Sequence, residues 1–128
     1  MLPWTFTFEI LAIIFFSKLF DTTAIDVFEF EDMLNNGKVD IVQPDMSRCG
    51  GITMAKKIAD MAQLRGKKLI PHAFKTGILM GATLQLIASI PNSDMLESCA
   101  QATVLSKQLV KNPFQLDSDG FVHIPTAP

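Results

Sequence analysis

The apolar positions along this chain alternate between two periods. Val39, Ile41 and Val42 form a short β-favouring run with the composition of a strand buried on both faces. Pro44 cannot donate to a sheet ladder, so the run predicts a strand over residues 39–43. Upstream, Val27, Phe30, Met33 and Leu34 recur at helical spacing and predict a helix over 26–36, stopped by Asn36 and Gly37. Downstream, Ile52, Ala55, Ile58, Ala59, Met61 and Ala62 predict a helix over 52–64, with Lys56, Lys57 and Asp60 toward water. Thr53 is its expected cap and Gly66 its expected stop. Leu69 and Ile70 read as a very short strand ending at Pro71. From Thr76 or Gly77 to about residue 90 the chain is apolar nearly all round, which predicts a well-buried helix ended by Pro91. Met95 and Leu96 read as a further short strand, residues 99–110 as helical or irregular, Asp117 to Gly120 as a turn and 121–124 as a final strand.

Helix and strand therefore alternate three times, the signature of parallel strands joined by helical crossovers and of an α/β fold. Residues 1–27 stand apart from this rhythm. They hold an unbroken apolar run over residues 10–16, flanked by Glu9 and Lys18. A membrane helix needs about 20 apolar residues, and no basic residue precedes the run as a signal peptide requires. The chain thus divides into an atypical apolar segment, 1–27, and an α/β part, 28–128.

Composition narrows the function classes. The 128 residues suffice for one domain with a modest core. The net charge of -2 argues against a nucleic-acid surface. A hydrophobic content of 48% against 19% charged suits a buried α/β layer. Cys49 and Cys99 make no disulfide framework and fit the reducing cytoplasm. There is no phosphate-cradling glycine loop, no Cys/His cluster with metal-ligand spacing and no serine elbow.

The candidate chemistry lies just past the strands. Asp45, His72 and Glu97 each follow one, and parallel α/β proteins collect their chemistry at strand C-terminal ends. Gly50 and Gly51 allow a tight turn into the next helix. If the strands are neighbours, the three side chains share one mouth. Imidazole moves protons near neutral pH, and a carboxylate on one ring nitrogen fixes its tautomer. A protonated second carboxyl, Glu97, can hydrogen-bond a substrate oxygen. Lys75, close to His72, is a candidate contact for an anionic substrate. Plainer roles exist for each: a turn or cap for Asp45, a structural ring for His72, a solvated loop acid for Glu97, an exposed helix-start side chain for Lys75. Arg48 faces solvent or a substrate carboxylate, and His123 reads as a structural residue without partners.

Three strand motifs in order, followed by a matching tail, carry a family resemblance. DIVQPDMSRCGGIT resembles the sixth barrel strand and turn of the enolase superfamily's mandelate racemase-like subgroup; IPHAFKTGI resembles its seventh strand, DMLE its eighth and DGFVHIPTAP its tail. The resemblance covers residues 28–128 and implies the C-terminal portion, about three βα units, of an incomplete TIM-type (β/α) barrel. It implies that Asp45 and His72 are an Asp–His dyad with His72 as general acid/base, and that Glu97 hydrogen-bonds a substrate carboxylate or enolate. It further implies a Mg²⁺-dependent acid-sugar dehydratase or racemase acting on a carboxylate-bearing sugar acid. The family's metal-binding carboxylates lie on its third to fifth strands and its Lys-x-Lys base on the second, none of which is placed here, and its capping domain is absent. A complete barrel takes about 250 residues, so the chain is expected to be inactive alone. A non-catalytic relic or interaction module, with its open sheet edges covered by a partner or by further copies of the chain, is the competing expectation.

Overall fold

In a computed structural model of the chain, residues 19–20, 23–99 and 103–124 are described. The apolar run at 10–16, Asp21 and the last four residues lie outside them. The element order is β1 (Leu19–Phe20), α1 (Val27–Asn36), β2 (Ile41–Val42), α2 (Ile52–Leu64), β3 (Lys68–Leu69), α3 (Gly77–Ala88) and α4 (Val104–Gln108).

The three strands form one parallel sheet in the order β1-β2-β3. Leu19 is in register with Ile41 and Phe20 with Val42; Ile41 pairs with Lys68 and Val42 with Leu69. The sheet thus includes two residues from the stretch set apart above as atypical. The strands are shorter than the sequence suggests, but pairing continues past them. Lys68 N–H donates to Asp40 O at 3.3 Å, Ile70 N–H to Val42 O at 3.0 Å and His72 N–H to Pro44 O at 3.1 Å. Pro44 cannot donate, yet its carbonyl still accepts, so the ladder reaches His72 one step beyond the proline. The expected strand at Met95 and Leu96 is reduced to an isolated parallel bridge between His72 and Glu97.

Each helix starts and stops for local reasons. Asp26 caps α1, its Oδ1 accepting from Phe28 N–H and Glu29 N–H at 2.9 Å. The expected Thr53 cap on α2 is not used: the cap position is Gly51, with no side-chain bond. Gly50 and Gly51 have φ of 95° and 85°, the left-handed region that a residue with a Cβ enters at a cost. Thr76 caps α3 by accepting from Leu79 N–H at 3.1 Å. That helix ends at Ala88, before the expected 90, because Ser89 turns out of it.

The core joins sheet and helices. Phe30 from α1, Ala55, Ile58, Ala59 and Ala62 from α2, and Val42 and Leu69 from the strands are fully or almost fully buried. Helix α1 packs on α2, α2 on α3, and α3 on α4. Two apolar expectations fail. Ile52 is 48% and Ile78 62% exposed, although each sits in the first turn of a helix whose later apolar residues are buried. The stretch expected to be a final strand has no ladder partner: Asp117 accepts from Phe121 N–H and donates to Phe121 O, closing a turn.

Candidate active site

Asp45 sits where the ladder ends and the chain turns. Its carbonyl accepts from Arg48 N–H and Cys49 N–H, both at 2.9 Å, which folds the backbone back over the carboxylate. The side chain is 0% exposed, and a buried carboxylate must find donors. Ser47 gives two: its backbone N–H at 2.8 Å and its hydroxyl at 2.6 Å, both to Oδ1. Oδ2 faces His72 Nδ1 at 3.1 Å and Lys75 Nζ at 3.4 Å. Lys75 also donates to Ser47 Oγ at 2.5 Å. Burial on its own pushes the Asp45 carboxyl up. The Ser47 hydroxyl and amide, the His72 ring and the Lys75 charge together outweigh it and hold the group below the ordinary carboxylate value.

An ionised carboxylate only accepts, so Nδ1 must carry the proton in the Asp45–His72 contact. A neutral His72 then has its lone pair on Nε2, the nitrogen turned away from Asp45. The ring is stacked on Phe74 at a centroid distance of 4.1 Å and an interplanar angle of 26°, which limits its rotation.

Glu97 is tied to the backbone on both sides of His72. Its N–H donates to Pro71 O and its carbonyl accepts from Ala73 N–H, each at 3.0 Å. Its carboxylate Oε2 accepts from the Gln43 side-chain amide. The ends of β2, β3 and the 95–97 segment therefore carry Asp45, His72 and Glu97 side by side, with Asp45 and His72 in direct contact. Lys75 joins them through Asp45 and Ser47. Gln43 and Ser47 are the contacts that the sequence reading missed. Gln43 was read only as a strand end, although an amide in an otherwise apolar run is a signal that something polar faces it. Ser47 lies two residues past Asp45, the spacing at which a carboxylate commonly accepts a backbone N–H in a turn. His123, expected to lack partners, lies 3.4 Å from Asp117 Oδ2 on an exposed surface.

The residues also bear on metal binding. Among the described residues no group of three or more His, Cys, Asp or Glu side chains is placed to hold a metal ion. Asp45 is saturated by Ser47, His72 and Lys75, and Glu97 is bonded to Gln43. The described site does not fit a divalent cation. Among the same residues no helix is long and apolar enough to cross a membrane.

Comparison with known proteins gives the chain's family and fold. The model for the enolase C-terminal domain-like family matches residues 19–128, so the chain belongs to that family. It is 32% identical over 103 residues to D-galactarolactone cycloisomerase of Agrobacterium fabrum, covering 74% of this chain and 27% of the relative. It is 33% identical over 106 residues to arabinonate dehydratase of Saccharolobus solfataricus, covering 83% of this chain and 28% of the relative. A solved mandelate racemase/muconate lactonizing enzyme from Sulfitobacter sp superposes with a TM-score of 0.69 at 39% identity, over 79% of this chain and 25% of that one. The chain thus spans about a quarter of the length of the proteins it matches, and its α/β fold corresponds to part of a TIM-type barrel.

Proposed function

We propose that these residues carry the acid/base half of an active site that moves the proton next to the carboxylate of a sugar acid. The observation that carries the reading is the contact of Asp45 Oδ2 with His72 Nδ1, made at adjoining strand ends beside Glu97. The dehydratase and cycloisomerase relatives support the substrate class by their names.

In this proposal His72 Nε2 takes the proton from the carbon next to the carboxylate, and the electron pair of the broken C–H bond moves into an enolate. Asp45 holds the ring in the Nδ1–H tautomer and stabilises the imidazolium that forms. Glu97, when it carries a proton, donates to an enolate or carboxylate oxygen. The imidazolium then gives its proton either to a leaving hydroxyl, which departs as water, or back to the carbon. The first outcome is dehydration; the second restores the substrate with exchange of that proton, and racemisation further requires an acid on the opposite face of the carbon, carried by strands other than the described ones. Lys75 adds positive charge that draws an anionic substrate toward the mouth. The described residues do not hold Mg²⁺, which would be bound by carboxylates on strands other than these. The cytoplasm is the compartment that fits such an enzyme.

The test is solvent-deuterium exchange across a panel of sugar acids with Mg²⁺, using the natural protein that contains these residues. Exchange next to the carboxylate, abolished by His72→Asn, is expected. The absence of both exchange and dehydration on every sugar acid in the panel overturns the proposal. The 128-residue chain by itself is expected to show none, because its described part offers no metal site.

A further inference from the structure

Gln43 directly follows β2 and is a buried amide beside apolar strand residues. It is 5% exposed, two residues from Asp45 and 54 positions in sequence from the carboxylate it contacts. A buried amide is costly unless its groups are partnered, so its place in an apolar ladder calls for a reason. The structure supplies one: the Gln43 side-chain N–H meets Glu97 Oε2, while Oε1 takes no hydrogen bond from any described residue. The backbone of Glu97 is fixed by its bonds to Pro71 and Ala73, but these leave its side chain free to rotate.

We propose that Gln43 is a positioning residue for Glu97. Its amide occupies Oε2 and holds one rotamer, so that Oε1 is the oxygen left to face a ligand. When Glu97 carries a proton, the donor on Oε2 also assigns that proton to Oε1, since an oxygen accepting the amide has less reason to carry it. The inference rests on the role given to Glu97 above, but the hydrogen bond is observable without turnover. The opposite polarity, in which a protonated Glu97 donates to the Gln43 carbonyl, makes a different forecast for the amide protons.

The experiment is NMR on the full chain with labelled Gln and Glu. One Gln43 side-chain amide proton is expected downfield of the unbonded amide group, and Glu97 is expected to show the couplings of a single rotamer. Glu97→Ala should return the amide proton to the unbonded range. Gln43→Met, of similar length and without a donor, should let Glu97 average over rotamers while the backbone spectrum of α2 and α3 stays in place. Unshifted Gln43 amide protons in the unsubstituted chain overturn the proposal, and that measurement needs no variant to fold. A single Glu97 rotamer persisting in Gln43→Met overturns it as well. These outcomes leave the reaction class untouched, whereas absent deuterium exchange would remove the reaction and leave the hydrogen bond standing.

Discussion

Lys75 Nζ lies 3.4 Å from Asp45 Oδ2, the oxygen that also faces His72 Nδ1 at 3.1 Å. One fully buried carboxylate is thus shared by an imidazole nitrogen and a lysine ammonium. His72 compensates its charge fully only while protonated, and the acid/base role proposed for it requires that proton to be given up. Lys75 is a counter-ion that adds to the two Ser47 hydrogen bonds and the His72 ring in holding Asp45 as an anion.

Removing that counter-ion should weaken the fold modestly. Lys75 is about half exposed (48%), so solvent screens much of its effect. Lys75→Met is expected to lower the unfolding free energy by about 1 kcal/mol in urea titrations at neutral pH. Ser47→Ala, which removes a donor from a buried anion, should cost about 1.5 kcal/mol or more.

Asp45 also sets a pH dependence of stability. Its folded carboxyl titrates below its ordinary value of 3.8, so the unfolded chain takes up the proton first as pH falls. The stabilisation is complete above the ordinary carboxylate value and is lost as pH drops through the lowered one. Between about pH 5 and pH 3 the unsubstituted chain should therefore lose stability more steeply than Asp45→Asn, whose amide does not titrate there. Urea midpoints at a series of pH values give the comparison.

The two cysteines should react differently. Cys49 is 1% exposed, and its thiol is pushed up to about 11, first by burial and then by the nearby Asp45 charge. Cys99 is exposed. Iodoacetamide at mildly alkaline pH is expected to alkylate Cys99 in the native chain and to reach Cys49 only in denaturant. Peptide mass mapping distinguishes the two sites.

Gly77 tests how α4 is seated. A Cβ at that position would lie 2.7 Å from Ser106 O and 2.8 Å from the Val110 methyl groups. Since backbone must then move, Gly77→Ala should displace α4 from the start of α3. Faster amide exchange confined to residues 103–110 is the expected sign.

Asp45, His72 and Glu97 were legible because each follows a short apolar run, and because Pro44 and Pro71 mark where two of those runs stop. The two central helices were legible from their apolar spacing. Gln43 was not, since its partner Glu97 lies in a distant segment and periodicity reports faces rather than pairings. Ile52 and Ile78 misled for a related reason: helical spacing reports a face of the helix and not whether a neighbour covers its first turn. The tail at 121–124 has β-favouring residues, but a strand needs a neighbour, and here the chain bonds back onto Asp117 instead.

The account stands on Asp45 fixing His72 as a Nδ1–H ring with Nε2 free to take a proton. Ring ¹⁵N NMR of the full chain at a pH where His72 is neutral measures this directly. The account predicts a protonated Nδ1 and a bare Nε2, with Asp45→Asn producing a mixture of tautomers. A neutral ring protonated on Nε2, or an unchanged spectrum in Asp45→Asn, would contradict it.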